Sequence, residues 1–417
     1  MGAFCNATDG EYFSTKKIAG LGVDLTVSEI GAIVCAVFAF FTTSIALFLI
    51  QKHALHYTRP DEQRHIMRIV LMLPIYAIIT TLSYYYYAYA IYFEVIRDCY
   101  EAFALASFFF LMTYLIAPTL HEQKQFFRRW EPKPWPFPAN LFIKIGIPFR
   151  TPRSGLTWFN IVWICTFQYC AIRVLSTFAS LATQWFGLYC QASWSPVFAH
   201  VWITVIIIIM ITIALYMLVA FYTSLKDELE PYRPFLKFVS IKLVIFFIFW
   251  QTVIISALMS FKVIEPGEYV SQGDLATGIN AVLVSIEMVA FAILHLFSYP
   301  WRDYTEEGLA ERYKRMGLAV KDLDVHNKGG RFGWRAWIDT FNPWDFIKAL
   351  ARGLRWLFVG VKKRNADASL FVPEHDERNP DGFDSPDTDD KDDKADLLPS
   401  HTRSGSMSNK RRGSLER

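Results

Sequence analysis

Seven stretches of this chain stay apolar for about 20 residues, the length an α-helix needs to cross about 30 Å of hydrocarbon. They lie at roughly 29–51, 67–92, 101–119, 156–182, 196–223, 238–262 and 277–299. The cations between them are sorted by connection. The first connection carries Lys52, Arg59 and Arg64, and the fifth carries Lys226, Arg233 and Lys237. The third carries Lys124, Arg128, Arg129, Lys133, Lys144, Arg150 and Arg153. The alternate connections hold only Arg97 and Lys262, so thirteen cations stand against two. Basic connections stay on the cytosolic side. The pattern predicts an all-α, polytopic seven-transmembrane-helix bundle over 29–300, its exoplasmic or lumenal N-terminal segment at 1–28 and its C-terminus cytosolic.

Beyond the last apolar stretch, 301–365 reads as cytosolic juxtamembrane amphipathic helices. Trp334, Trp337, Phe341, Trp344, Phe346, Trp356 and Phe358 are interleaved there with Arg and Lys, a pattern attracted to anionic lipid. Residues 366–417 have the composition of a disordered cytosolic tail: the block 374–396 holds eleven Asp/Glu against three Lys/Arg. The tail ends in a basic run that makes Ser414 a phosphorylation candidate. Asn6-Ala7-Thr8 makes Asn6 a glycosylation candidate if that end is lumenal. The first 28 residues lack the apolar core of a cleavable signal peptide, so the first membrane helix is expected to act as the insertion signal. Prolines at 132, 134, 136 and 138 around Trp135 predict an extended stretch along the membrane interface.

Polar positions inside the apolar stretches carry the candidate chemistry. Lys242 interrupts the sixth, where a Lys at a helix centre costs about 2.5–3.5 kcal/mol on insertion scales. Arg173 lies within the fourth, on a stripe with Thr166, Tyr169, Ser176, Thr177 and Ser180 at helical spacing. Glu287 sits near the middle of the seventh, one heptad after Asn280. A carboxylate there must be protonated or paired, and Arg173 and Lys242 are its expected partners. The three are read as one polar path, with a static structural ion pair as the alternative. Gln251 is nine residues from Lys242, so on a regular helix the two face opposite sides. Tyr76, Thr80, Ser83 and Tyr87 offer an aromatic-hydroxyl face for an amphipathic ligand, or a plain packing face. The candidate substrate-binding set is Arg173, Lys242, Glu287, Asn280, Gln251, Tyr76 and Tyr169.

Composition narrows the classes. With 53% hydrophobic residues the chain is no ordinary soluble domain. It carries no P-loop, nucleophile elbow, zinc-protease helix or dinucleotide fingerprint, so an enzyme is not expected, nor a cofactor, nor a nucleic-acid partner. His53, His56, Asp61 and His65 cluster near the first connection at spacings that fit no standard metal set, and are read as a solvated loop. Six cysteines form no zinc-type pattern; Cys99 and Cys190 fall in exoplasmic connections and make a disulfide candidate, with Cys5 as competitor.

The run His56-Tyr57-Thr58-Arg59-Pro60-Asp61-Glu62-Gln63-Arg64-His65-Ile66-Met67-Arg68, continuing to Tyr76, resembles the organic solute transporter alpha / transmembrane protein 184 family. So do Asp98-Cys99-Tyr100-Glu101-Ala102-Phe103, Gln168 to Arg173, Leu236 to Gln251, and Gly278 to Met288. These blocks fall in family order over about 56–300, and look closer to the transmembrane protein 184 branch. The resemblance implies seven helices and an outside N-terminus. It also implies facilitative transport of amphipathic organic solutes such as sterol conjugates, organic anions or lipids, in the transporter branch with a single-span beta-type subunit. It associates the transmembrane protein 184 branch with vacuolar and endosomal membranes and trafficking. A membrane transporter is thus expected, in the vacuolar/endosomal rather than the plasma membrane. Its partners are the lipid bilayer, an amphipathic organic solute, and a homo-oligomer or beta-type subunit. The alternative is a seven-helix receptor or trafficking scaffold acting through its tail. Against a rhodopsin-like receptor, the third helix ends Ala117-Pro118-Thr119 and the seventh exits Tyr299-Pro300-Trp301.

Overall fold

Thr26 opens the first helix. Its hydroxyl accepts from the Glu29 amide at 3.2 Å, and the Glu29 carboxylate accepts from the Thr26 amide at 2.8 Å. This reciprocal box satisfies donors that a helix start leaves orphaned, and α1 then runs Val27–Leu55. The computed structural model describes residues 17–18, 25–86, 89–136, 152, 154–189, 195–232, 234–265, 267, 269–271, 274–315 and 325–360. All belong to one compact unit, Met1–Leu370. Asn6, Cys190, the Lys242 side chain, Ser414 and the tail lie outside the described residues.

The long helices that follow are α2 (Pro60–Tyr85), α3 (Ala90–Ile116), α5 (Gly155–Trp185), α6 (Ala199–Ser224), α7 (Pro234–Ser260) and α8 (Ile279–Ser298). Short helices are α4 (Leu120–Arg129), α9 (Glu306–Arg315), α10 (Trp334–Phe341) and α11 (Trp344–Arg355). Among the described residues, six helices are long and apolar enough to cross a membrane: α1, α2, α3, α5, α6 and the helix beginning at Ile279. The sixth predicted span is also a single helix, α7, of 27 residues.

Helix α2 is central, packing against α1, α3 and α8; α5 joins α3 to α6, and α7 lies against α8. Its middle is sealed, with Met67, Ile69, Val70, Met72 and Leu73 all buried, whereas α6 turns Trp202, Val205, Ile206, Ile208 and Ile209 outward. An outward Ile-Val face is what lipid selects, since there is no water to drive it inward. Two helices start earlier than their hydropathy suggests. The second begins at Pro60 rather than 67, with Pro at a first-turn position where a missing N–H costs nothing. The third begins at Ala90 rather than 101, enclosing Glu94, Arg97, Asp98 and Glu101 in helix.

The third connection is only partly extended. Thr119 and Glu122 form a second capping box that starts α4. Residues 131–136 follow without regular structure, with Trp135 buried beside Trp158 at 5.9 Å between ring centroids.

Candidate functional site

The four charges that open α3 recur at 94, 97, 98 and 101, so one helix face carries them all. Counting about 1.5 Å per residue, Asp98 lies about 12 Å inside α3 and Arg173 about 18 Å from the Trp185 end of α5. There the Arg173 guanidinium meets the Asp98 carboxylate at 2.5 Å. Arg97 donates to the other Asp98 oxygen at 3.2 Å and covers the Tyr76 ring at 5.5 Å. The Tyr76 hydroxyl, from α2, donates to Glu101 at 2.8 Å. Tyr169, buried on α5, lies within the electrostatic reach of Glu101, Arg173 and Asp98. Three helices thus contribute to one polar network inside the bundle.

Beside this network is a cavity of about 240 Å³ between α3, α5 and α6. Glu94, Asp98 and Arg173 form its charged wall, Ser176 and Thr177 its hydroxyl wall, and His200 its α6 side. Isoleucines of α6 close it on the apolar side. Tyr189, which follows α5, also lines it. Burial raises the phenol's pKa, so Tyr189 offers a hydroxyl and no charge.

Three predicted residues, Arg173, Tyr76 and Tyr169, therefore come together. The expected partner of Arg173 is corrected: it pairs with Asp98, not Glu287. Glu287 belongs to α8, which packs on α1, α2 and α7, whereas the helix of Arg173 packs on α3, α6 and α11. Glu287 Oε2 is buried and finds no hydrogen-bond partner among the described residues. The same holds for both amide atoms of Gln251, on the neighbouring α7. Asn280 sits in the first turn of α8. Cys99 lies against Thr177 and forms no disulfide among the described residues, and its candidate partner Cys190 falls outside them.

The histidine reading is also corrected. His53 and His65 are fully buried, not solvated. His53 Nε2 bonds the Tyr299 carbonyl at 3.0 Å, and His65 stacks on Phe110 at 4.8 Å. No metal-holding group exists among the described residues. The reason is that 52–66 is mostly helix, and its polar groups are answered by the segment after α8. Glu62 takes both terminal nitrogens of Arg312, at 2.8 and 2.9 Å, plus the Tyr304 hydroxyl at 2.9 Å. Burial opposes the Arg312 charge, but Glu62 more than offsets it and pushes the arginine pKa up.

Arg68, 5% exposed, donates to the carbonyls of Thr340 (2.8 Å), Asp339 (3.0 Å) and Asn342 (2.6 Å). It also pairs with Asp345 at 3.3 Å. Trp163 of α5 donates to the Ala349 carbonyl at 3.2 Å. The segment that enters α10 fits because Gly333, at φ 76°, lies against Ala54, where any Cβ would collide. So α10 and α11 are held to the bundle by these polar contacts together with Ala336, Trp337, Phe346 and Ala349 in its core, with Ile338, Phe341, Trp344, Ile347 and Leu354 facing outward. Sequence reasoning missed Asp98, Glu101 and Arg68 as members of a built site. Helical spacing was the available signal for the first two; nothing local marks the third.

This is an integral membrane protein of several apolar helices with charged residues paired inside its bundle. The model of the family described as Organic solute transporter Ostalpha matches residues 31–304. The chain belongs to that family. It is 33% identical over 269 residues to a transmembrane protein 184 homolog of Dictyostelium discoideum, covering 64% of this chain and 52% of the relative. It is 31% identical over 308 residues to Protein LAZ1 homolog 1 of Arabidopsis thaliana, covering 70% and 59%. Protein LAZ1 of the same plant is 30% identical over 287 residues, covering 64% and 57%. The chain spans somewhat over half the length of these curated relatives. No solved structure matches.

Proposed function

We propose that this protein is a facilitative membrane transporter of amphipathic organic solutes. The observation that carries the reading is the cavity of about 240 Å³ walled by Arg173, Asp98 and Glu94 between α3, α5 and α6. Charged side chains at membrane depth are costly and mark solute or ion routes. The apolar α6 wall beside them suits a molecule that is polar at one end. In this reading α7 is the remaining span of seven, the basic connections are cytosolic, and the cavity opens in the outer half. Lys242 and Glu287 on α7 and α8 would line the route toward the cytosol, with Gln251 and Asn280 nearer its outer end. The outward faces of α10 and α11 then lie in the inner interface, and a vacuolar or endosomal membrane is the proposed location.

The test is uptake of labelled sterol conjugates, organic anions and organic amines into vesicles holding the purified protein. Saturable flux is expected, and Arg173→Ala and Glu287→Gln should each reduce it about tenfold or more, as loss of one charged contact does. Unchanged flux in both variants would remove the charged route. A receptor or scaffold acting through its tail predicts instead that deleting 366–417 abolishes function; a transporter keeps its flux.

A further inference from the structure

The chain that leads into α10 is fixed to the end of α1. Asn327 donates to the Leu55 carbonyl at 2.7 Å, the Lys328 amide to the Tyr57 carbonyl at 2.8 Å, and Gln51 to the Phe332 carbonyl at 3.0 Å. On its outer side this anchored turn holds an open cavity of about 570 Å³, lined by Arg331, Trp334 and Arg335 beside Gly330. Gly330, at φ 72°, lies against the Arg335 stem, where a Cβ would come within 3.3 Å of Cγ and Cδ. Neither guanidinium has an ion pair or hydrogen bond among the described residues; Arg331 covers its neighbour Phe332 at 5.5 Å. The carboxylates of α10 and α11 do not answer them. Asp339 takes the Tyr57 hydroxyl, and Asp345 pairs with Arg64 and Arg68 on the bundle side. No carboxylate lines the cavity among the described residues. Lys328 and His326 also border it but have interactions of their own, so a ligand meets the two arginines.

Two aromatic rings flank these arginines, Phe332 at 75% exposed and Trp334 at 69%. Phe332 takes φ 57°, a left-handed backbone that a residue with a side chain rarely adopts, and its ring stays outside the core cluster. The pair continues the outward apolar faces of α10 and α11. Aromatic rings at an interface enter lipid while neighbouring cations stay at headgroup depth. A guanidinium fork matches phosphate bidentately. Two in one cavity suit a phosphomonoester, which carries close to two negative charges near pH 7, better than a phosphodiester or a single carboxylate. We propose, resting on the interface placement of α10 and α11 in the reading above, that this cavity binds the headgroup of a phosphorylated inositol lipid. Its phosphomonoester lies on Arg331 and Arg335, and its chains enter the leaflet beside Phe332 and Trp334. The volume of about 570 Å³ falls within the roughly 300–1,000 Å³ of small-molecule sites.

The experiment titrates the full chain in detergent with dioctanoyl phosphatidylinositol 4-phosphate, bound lipid being counted by native mass spectrometry. One lipid per chain is expected, held about tenfold or more tighter than dioctanoyl phosphatidylinositol, which lacks the phosphomonoester. Replacing both arginines, Arg331→Gln with Arg335→Gln, should erase that difference without moving the melting temperature, because both side chains are exposed. Lys348→Gln, an exposed cation on α11 away from the cavity, should preserve it. Inositol 1,4-bisphosphate, the same headgroup without chains, should bind about tenfold or more weakly than the lipid. Equal binding of the two lipids, or an unaltered difference in the arginine pair, overturns the site. Equal loss in Lys348→Gln also overturns it, by showing diffuse attraction to the basic surface. Free headgroup binding as tightly as the lipid overturns the membrane source. Binding is read without transport, so a chain that binds the lipid but moves no solute fails the transporter reading alone. One that moves solute without binding the lipid fails this proposal alone.

Discussion

At the scale of single residues, the energetics turn on which charges are answered. Arg173 and Asp98 form an ion pair whose arginine side chain is 13% exposed and whose aspartate keeps 32%. Removing one partner of a fully buried pair costs about 3–5 kcal/mol. The partial exposure of Asp98 lowers that to about 1–3 kcal/mol, because residual solvent screens the orphan. Arg173→Ala should therefore lower the melting temperature of the detergent-solubilised protein. Asp98→Ala added to it should cost less than the sum of the two single changes, as coupled sites do. Additive losses would show the pair to be energetically independent. Tyr57 makes a separate case outside the apolar spans. Burial first, and then the nearby Asp339, push its phenol pKa up, so the hydroxyl stays protonated and donates to the Pro60 carbonyl and to Asp339, both at 3.3 Å. Tyr57→Phe should cost about 1 kcal/mol, the net worth of an ordinary hydrogen bond, read as a modest drop in melting temperature.

Elements were legible in the sequence to the extent that their polarity matched their location. The apolar blocks gave α1, α5, α6, α7 and α8 within a few residues. The starts of α2 and α3 were shifted by 7 and 11 residues because Glu62 and Arg64, and then Glu94, Arg97 and Asp98, read as connection by hydropathy. Those charges are helical because distant residues neutralise them, and no window of local sequence contains Arg312, Asp345 or Arg173. The stripe on α5 that includes Tyr169 and Arg173 was visible, but its partner face on α3 was hidden by the same error. Short α4 could have been found from Thr119 and Glu122, three residues apart. The elements after α8 carry their own prediction. Arg68→Leu should unlock α10 and α11, seen as faster hydrogen exchange across 334–355 with little change in α6. Glu62→Gln weakens the bidentate contact to Arg312 and should loosen α9 alone. Equal exchange in Arg68→Leu and wild type would mean the outward apolar faces hold these helices without the arginine.

For the whole molecule, two polar regions occupy different parts of one bundle. One is the network around Arg173 with its cavity; the other is the knot of His53, Glu62, Arg68 and the post-α8 segment. Orientation connects them to function. If the basic connections are cytosolic, a single cysteine placed in the 86–89 connection should react with an impermeant maleimide from the exoplasmic side. One placed at 120–122 should not. The reverse labelling pattern would put the cavity at the cytosolic mouth and reverse the proposed direction of entry.

The anchoring of Arg68 has a consequence in time as well as space. Its partners at Asp339, Thr340, Asn342 and Asp345 lie 271, 272, 274 and 277 residues later in the chain. Synthesis at about 5–20 residues per second separates the arginine from them by roughly 15–55 seconds. During that interval α2 carries a guanidinium whose final ligands do not yet exist, an unanswered charge that marks the chain as unfinished. A protein truncated after 330 would carry that mark permanently, and in a pulse-chase experiment should disappear faster than one truncated after 365. The last helices made would then be the ones that end surveillance of the second.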